Sequence, residues 1–210
     1  MTDKGRFISL EGSEGAGKST AMNAIASVLD DWGIDFIKTR EPGGEANAER
    51  IRELLLHSEH LDDNTELLLM FAARNEHLVK TIRPALEKGI WVVSDRFVDA
   101  SFAYQGFGRN IAWSTIEYLE DWVVADTRPD LTVYLDVDPL TGLKRAARRS
   151  AKDRIEKESI HFFNNIRKGY WQRLEQNPQR IKRVDANQDI QQVTTDVMNV
   201  LNTYREQLQS

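Results

Sequence analysis

The stretch GSEGAGKS, residues 12–19, decides the fold of this chain. Its spacing matches G-x-x-x-x-G-K-[ST] completely, with the apolar segment FISL before it and the helical pattern STAMNAIASVL after it. Glycines let successive backbone N–H groups converge on phosphate oxygens, and the following helix adds the positive end of its dipole. The stretch therefore predicts a loop that binds a nucleoside triphosphate, formed by Gly12, Ser13, Glu14, Gly15, Ala16, Gly17, Lys18, Ser19 and Thr20.

Side chains of this loop divide into expected and unexpected ones. In such loops the lysine, here Lys18, reaches the β- and γ-phosphates, and the hydroxyl of Ser19 can bind Mg²⁺. Glu14 is unexpected, because a carboxylate repels the anion that the loop is built to hold. The loop also contains no arginine.

Five short apolar segments alternate with helical patterns along the chain. Their near-continuous apolar centres predict parallel strands that are buried on both faces. The alternation predicts one three-layer α/β domain over residues 1–210, with a five-stranded parallel sheet flanked by helices. Pro84 should kink or break the helix that follows Asn64. The segments are RFISLEG, IDFIKTR, GIWVVSD, LTVYLDV and RIKRVDA, and further helices are predicted near 111–126, 139–150, 154–176 and 188–207.

The composition restricts the classes of function. The net charge of −5 argues against a protein that binds a nucleic acid polymer or an anionic membrane. The chain has no cysteine, and no apolar run approaches the roughly 20 residues that span a bilayer. No secretory segment precedes the first predicted strand, so the sequence predicts a soluble cytoplasmic protein.

A second anionic pocket is predicted beside the loop. Asp95 and Arg96 end the third predicted strand, and strand carboxyl ends in a parallel sheet line one crevice. Asp95 can hold the metal or its waters, while Arg96 can hold a phosphate in a fork. Arg40 and Glu41 follow the second strand in the same way. Such a pocket favours a kinase of small molecules over a nucleotide switch, although a surface ion pair and an ordinary Pro-Gly turn explain the same residues.

Six motifs together resemble thymidylate kinase, the bacterial dTMP kinase, over about residues 6–186. They are LEGSEGAGKST, TREPGG, FAAR, SDRFVDASFAYQGFGR, RPDLTVYLDVDP and DRIEKES, in this order. The resemblance implies a P-loop NTPase fold like that of nucleoside monophosphate kinases. It also implies transfer of the γ-phosphoryl group of ATP to dTMP with Mg²⁺, and a homodimer packed through helices.

The resemblance implies a role for each residue of the acceptor pocket. Thymine would stack on Phe71, although Phe71 taken alone is more readily interpreted as a core residue. Family members with an arginine in the phosphate loop carry it where Gly15 stands, and the others supply it from the lid. The implied dTMP contacts are Arg74, Gln105 and Ser101 on the base, Tyr104 and Glu14 on the sugar, and Arg96 with nearby Arg40 on the phosphate. Phe97 departs from the Tyr or His that often follows the Asp-Arg pair, so no catalytic role is given to it.

The basic run KRAARRSAKDR, residues 144–154, is predicted to form a lid over about 144–156. It holds six basic residues and one acidic residue, in a chain that is acidic as a whole. Arg149 and Arg154 are the expected lid contacts to the transferring group, with Arg148 as the alternate. A solvated helix end is the other explanation of this run. The predicted catalytic set is Lys18, Asp95, Arg96, Arg149 and Arg154.

Three points complete the predictions. By position in the family, adenine would lie near Ala186 and Asn187. His57 and His60 lack the accompanying ligands of a metal site, and we interpret them as ordinary surface or interface histidines. The alternative functions are a deoxynucleoside kinase, whose acceptor is an uncharged hydroxyl, another nucleotide kinase, and a nucleotide-binding regulatory protein without phosphoryl transfer.

Overall fold

All five apolar segments are strands of one parallel sheet in the computed structural model, which describes residues 4–148 and 154–209. The spatial order of the strands is β2-β3-β1-β4-β5, and every pair of neighbours is parallel. The predicted five-stranded parallel sheet is therefore confirmed. The strands are β1 (Phe7–Glu11), β2 (Phe36–Arg40), β3 (Trp91–Asp95), β4 (Leu131–Asp136) and β5 (Ile181–Asp185).

Helices cover both faces of the sheet. On one face, α1 and α9 pack against the central strands through Ile25, Leu29, Val197 and Leu201. On the other face, two further apolar clusters join the strands to α3 and α8. The helices are α1 (Lys18–Asp31), α2 (Ala46–His57), α3 (Asp63–His77), α4 (Arg83–Glu87), α5 (Val98–Ser101), α6 (Trp113–Leu119), α7 (Pro139–Ala146), α8 (Ile160–Gln176) and α9 (Ile190–Gln209), and π-helical turns cover Leu78–Ile82, Phe102–Gly108 and Glu120–Val124.

Burial differs from the prediction at both edges of the sheet. Every residue of β1 and β4 is buried, as their apolar runs predict. None of the five residues of β2 is fully buried, because β2 is an edge strand with a neighbour on one side only. In β5, the strand at the other edge, only Ile181 and Val184 are buried. The prediction that all five strands are buried on both faces is thus wrong for β2 and β5.

The helix boundaries follow local chemistry. Pro84 lies in the first turn of α4, and the π-helical turn Leu78–Ile82 interrupts the α-helical hydrogen-bond pattern between α3 and α4. The helix predicted to begin near residue 154 begins instead at Ile160, where the Ser159 side chain accepts a hydrogen bond from Phe162 N. The helix predicted over 139–150 ends at Ala146, and that predicted over 111–126 is α6 followed by a π-helical turn.

Candidate active site

The carboxyl ends of three adjacent strands meet at the phosphate loop. In the strand register, Asp95 of β3 lies beside both Leu10 of β1 and Arg40 of β2. The loop of residues 12–17 leaves β1 at this edge and leads directly into α1. The structure therefore brings together the two segments that the sequence proposed as walls of one crevice.

Gly15 allows the loop to approach the backbone of α7. Its φ is +70°, and a Cβ atom at this position would lie 1.9 Å from the carbonyl oxygen of Gly142. A Cβ on Gly142 would in turn lie 2.5 Å from the carbonyl oxygen of Glu14. The lack of an arginine at position 15 is thus a packing requirement, because the loop and α7 touch backbone to backbone.

Lys18 lies folded against its own loop. Its Nζ donates hydrogen bonds to the carbonyl oxygens of Gly12 at 3.0 Å and Ser13 at 3.2 Å. Burial, and then the charge of Arg96, lower the pKa of the Lys18 ammonium. A bound polyphosphate would replace these carbonyl contacts with contacts to anionic oxygens, which favour the charged form.

Ser19 and Asp95 line one cleft together with Arg40. The Oδ1 atom of Asp95 is buried and has no hydrogen-bond partner among the described residues. A hydroxyl and an unpartnered carboxylate oxygen fit Mg²⁺, which in nucleotide sites takes most of its ligands from phosphates and water. Among residues 4–148 and 154–209, no group of three His, Asp or Glu side chains forms an all-protein metal site.

Arg96 adopts an uncommon backbone conformation that aims it at the loop. Its φ is +68°, a left-handed value that is rare for a residue with a side chain. Hydrogen bonds fix both sides of the residue: Arg96 N donates to Leu10 O, and Phe97 N donates to the Glu11 carboxylate at 2.7 Å. The backbone of Arg96 is therefore held in this conformation by its neighbours.

Glu14 faces Arg96 and Tyr104. The Arg96 guanidinium donates to Glu14 Oε1 at 2.6 Å, and the Tyr104 hydroxyl donates to Glu14 Oε2 at 2.9 Å. Burial raises the pKa of Tyr104 well above its usual value, so this hydroxyl stays a donor. The Glu14 carboxylate thus points toward Arg96 and Tyr104 and away from the triphosphate side. Only the backbone of Glu14 contributes to the phosphate loop.

A cleft of about 570 Å³ opens in front of this cluster. Glu14, Arg96, Tyr104, Gln105, Glu66 and Arg154 contribute to its walls. The Oε1 atom of Gln105 is buried without a partner in the part of the chain that the structure describes. We refer to this space as the acceptor cleft.

Phe71, Arg74 and Ser101 are buried and do not line the acceptor cleft, whereas Met70 of the same helix as Phe71 does. The buried Arg74 guanidinium packs 4.6 Å from the Phe71 ring. It donates to Glu41 at 2.8 Å, to Ser101 at 3.0 Å and to the carbonyl oxygen of Phe97 at 3.2 Å. A buried charge needs hydrogen-bond partners, and these bonds supply them. One N–H on each terminal nitrogen of the guanidinium is not used by these three bonds.

Two residues of the TREPGG motif lie away from the acceptor cleft. Arg40 is exposed, pairs with Glu49 at 3.0 Å, and lines the cleft of Ser19 and Asp95 instead. Glu41 is buried and bridges Arg74 and His77, so it is a structural partner and not a free ligand of the crevice.

A second cleft, of about 930 Å³, lies on the other side of the phosphate loop. Gly15, Gly17, Arg148, Ala186 and Gln188 line it. Of the two predicted adenine neighbours, only Ala186 lines the cleft. Asn187 is placed otherwise: its Nδ2 donates to the carboxylate of the strand-end residue Asp185, and its Oδ1 accepts from the backbone N–H of Asp138. We refer to this space as the nucleotide cleft.

The comparisons with known proteins agree with this geometry. A sequence model of the thymidylate kinase family matches residues 10–197. The chain belongs to the thymidylate kinase family. It is 53% identical over 201 residues to the thymidylate kinase of Alkalilimnicola ehrlichii (94% of this chain, 93% of the relative) and 50% identical over 202 residues to that of Nitrosomonas europaea (96% and 94%). A crystal structure of thymidylate kinase from Ehrlichia chaffeensis superposes with a TM-score of 0.78 at 34% identity, covering 95% of this chain and 99% of that one.

The family and the fold predicted from the sequence are thereby confirmed, and the predicted activity is that of the thymidylate kinase family. Within residues 4–148 and 154–209, no helix is both long and apolar enough to span a bilayer.

The two predicted lid arginines have different outcomes. Arg149 lies outside the described residues. Arg154 does not approach the phosphate loop: its guanidinium donates to Glu66 at 2.6 Å and to the carbonyl oxygen of Leu55 at 3.1 Å, on the wall of the acceptor cleft. The alternate, Arg148, lines the nucleotide cleft. Electrostatics explains the position of Arg154. The carboxylate of Glu66 is buried, and water screens its attraction for a cation less than it would at the surface.

Sequence reasoning missed two carboxylates that organise this thymidylate kinase site. Glu11 accepts hydrogen bonds from Phe97 N and from the Tyr170 hydroxyl, and burial raises its pKa to about 8. Glu66 accepts from Gln105 and Arg154. One signal was available, because Glu66 precedes Met70 and Arg74 at four-residue steps and therefore lies on the inward face of α3.

Proposed function

We propose that this chain transfers the γ-phosphoryl group of ATP to dTMP, giving ADP and dTDP, as a step toward dTTP. One observation carries the proposal: two clefts meet at one phosphate loop, and the loop carboxylate Glu14 pairs with Arg96 and Tyr104 on the acceptor side. Membership of the thymidylate kinase family supports the same substrates. The alternatives, a deoxynucleoside kinase, another nucleotide kinase and a regulatory protein, are not favoured by these relatives.

ATP is assigned to the phosphate loop and the nucleotide cleft. The loop N–H groups and Lys18 would hold the phosphates, and the base would lie toward Ala186, with a lid arginine such as Arg148 nearby. Ser19 and Asp95 would hold Mg²⁺, and the unpartnered Oδ1 of Asp95 supports this assignment. When bound, Mg²⁺ neutralises part of the charge of the polyphosphate.

The acceptor is assigned to the acceptor cleft. Arg96 would bind the dTMP phosphate. A contact of this phosphate with Arg40 stays a prediction, and it requires Arg40 to leave Glu49 and turn toward the acceptor cleft. Glu14 accepts hydrogen bonds only, which suits the 3′-hydroxyl of the sugar, and Tyr104 would exclude a 2′-hydroxyl. Gln105 would bind the polar edge of thymine. Contacts of the base with Phe71, Arg74 and Ser101 stay predictions, and they require these side chains to become accessible from the cleft.

The chemistry is mainly positioning and cancellation of charge. A phosphate monoester has a second pKa near 6, so the acceptor is mostly a dianion at neutral pH and needs no strong general base. The barrier is the approach of two anions, which Lys18, Arg96 and arginines of the lid would lower. Arg149 stays a proposed lid contact to the transferring group. For Arg154 we propose a contribution from the acceptor side.

Assembly and location complete the proposal. Tyr118 and Trp122 contact each other and are exposed, as are Leu68 and Val79 of the neighbouring helical segments. Large exposed apolar side chains on helices fit the proposed homodimer packed through helices. A single domain over residues 1–210, with its lid at about 144–156, and a cytoplasmic location are also parts of the proposal.

The test is an assay of ADP release with dTMP, dUMP, dCMP and thymidine as acceptors. We expect dTMP to give the highest kcat/KM, and Arg96→Met to lower kcat/KM for dTMP about 100-fold through loss of charged hydrogen bonds. Arg6→Met is the matched control, since this arginine is exposed and pairs with Asp130 at the opposite end of the strands. Thymidine outperforming dTMP would support the deoxynucleoside kinase. An absence of ADP release with every acceptor would support the regulatory protein.

A further inference from the structure

Glu66 is a buried carboxylate on the wall of the acceptor cleft, and neither the phosphate loop nor the Asp-Arg pair contacts it in this structure. Its side chain is 2% exposed. Its Oε1 accepts from the Gln105 amide at 2.8 Å, and its Oε2 accepts from Arg154 at 2.6 Å and Arg109 at 3.3 Å. A carboxylate with three partners in one buried cluster is a candidate for a function beyond stability.

The charge state of Glu66 fixes the direction of its hydrogen bonds. Burial by itself would raise the pKa of Glu66, but the hydrogen bond from Gln105 and the charges of Arg109 and Arg154 lower it. The group is therefore an ionised carboxylate at neutral pH, and an ionised carboxylate only accepts hydrogen bonds.

This direction determines the orientation of the Gln105 amide. The amide must turn its NH₂ group toward Glu66, because its oxygen would face a negative charge. The opposite end of the amide is then an oxygen, and this Oε1 is the buried atom that has no partner among the described residues. Gln105 lines the acceptor cleft, and its buried Oε1 is an acceptor that a hydrogen-bond donor of a ligand in the cleft could satisfy.

We propose that Glu66 is the positioning residue that sets the base specificity of the acceptor site, by locking the Gln105 amide so that it accepts from the ring N–H of the base. This inference rests on the proposed function. Thymine and uracil carry a hydrogen at ring N3, which an amide oxygen can accept. Cytosine carries a lone pair there, so the same oxygen meets another acceptor and both are left unpaired, which costs affinity.

The remaining partners of Glu66 connect it to the last residue of the basic run, Arg154, and to Glu158 just after the run. Arg154 links Glu66 to the carbonyl oxygen of Leu55 in α2. Arg109 links Glu66 to Glu158 at 2.6 Å. The competing explanation is therefore that Glu66 only anchors this segment, in which case its loss affects every acceptor nucleotide equally.

The experiment compares kcat/KM for dTMP and dCMP in Glu66→Gln and in the wild type. A glutamine at position 66 keeps the volume but can present either oxygen or NH₂ to Gln105, so the amide is free to reverse. We expect the dTMP-to-dCMP ratio to fall about tenfold to a hundredfold, the range expected when one hydrogen-bond match is lost. Glu158→Gln is the matched control, because it neutralises a carboxylate in the same cluster without contacting Gln105, and its ratio should equal that of the wild type.

Two further measurements distinguish the explanations. Gln105→Met should lower the ratio as Glu66→Gln does, and the double variant should show no further fall, because both changes act through one amide. Calorimetric binding of dTMP and dCMP without ATP measures the same preference independently of phosphoryl transfer. A preference that persists in binding while turnover is lost would contradict the proposed function and leave this inference standing. A wild type that binds dCMP as tightly as dTMP overturns the inference.

A proportional loss of kcat/KM for both nucleotides in Glu66→Gln, with the ratio unchanged, also overturns the inference and supports a purely anchoring role. If Glu66→Gln does not fold, Glu66→Asp takes its place. It keeps the negative charge that Arg109 and Arg154 require but withdraws the carboxylate from Gln105 by one methylene. The same fall in the ratio is then expected, and an unchanged ratio again refutes the lock.

Discussion

The contact between the phosphate loop and α7 predicts that Gly15→Ala destabilises the chain through sterics and not through backbone conformation alone. A Cβ at position 15 would lie 1.9 Å from the carbonyl oxygen of Gly142, whereas ordinary van der Waals contact begins at 3.4 Å. The loop and helix would have to separate by about 1.5 Å. Side-chain rotation cannot relieve the overlap, because the methyl group has no rotamers and its partner is backbone.

The magnitude follows from two contributions. Placing a residue with a side chain at φ +70° costs about 1–2 kcal/mol relative to glycine. Overpacking of a close contact adds about 1–3 kcal/mol. We therefore expect Gly15→Ala to lower the free energy of unfolding by about 2–5 kcal/mol. An arginine at position 15 would meet the same obstacle at its first side-chain atom.

Gly33→Ala separates the two contributions. Gly33 has a φ of +68°, almost equal to that of Gly15, but no atom lies within 4 Å of its Cβ position. It should therefore lose only the conformational part, about 1–2 kcal/mol. The assay is urea unfolding of both variants without nucleotide, followed by circular dichroism. Equal losses in the two variants would refute the packing explanation for the missing arginine.

Three further predictions concern carboxylates of the site. Glu14→Ala should raise the KM for dTMP about 10- to 100-fold and the KM for ATP much less, because its carboxylate faces the acceptor cleft; initial-rate kinetics showing equal increases would contradict this orientation. Asp95→Asn should weaken the apparent affinity for Mg²⁺ about tenfold or more, measured by titrating Mg²⁺ at saturating dTMP, and an unchanged titration would remove Asp95 from the metal site. Glu11 has its pKa raised from 4.5 to about 8, so the folded state holds this proton more tightly than the unfolded state and stability falls as pH rises through that interval. Glu11→Gln should remove this fall, so the variant should gain stability relative to the wild type as the pH rises from 4.5 to about 8. A difference in the free energy of urea unfolding that stays constant over this interval would show that folding does not raise the pKa of Glu11.

Local patterns allowed several features to be predicted from the sequence. All five strands and the phosphate loop depend on short-range features, namely apolar runs and the spacing of glycines before Lys18. The meeting of Asp95 with the loop also followed, because strand ends in a parallel sheet share one edge. Helix boundaries were less predictable, as α8 shows. Its N-cap, Ser159, is one of many serines in the chain that could cap the start of a helix.

The sequence by itself determined the fold, the triphosphate loop and the family, because each is encoded in contiguous motifs. Only the tertiary structure decided the partners of the charged side chains. Arg154 binds Glu66 across 88 positions of the chain, and Glu14 binds Tyr104 across 90. A cation near a basic run has many possible partners, and burial selects among them according to which carboxylate has lost its water. For that reason the chain's motifs located the two clefts, while the packing around Glu66, Arg74 and Gly142 determined which residues form their walls.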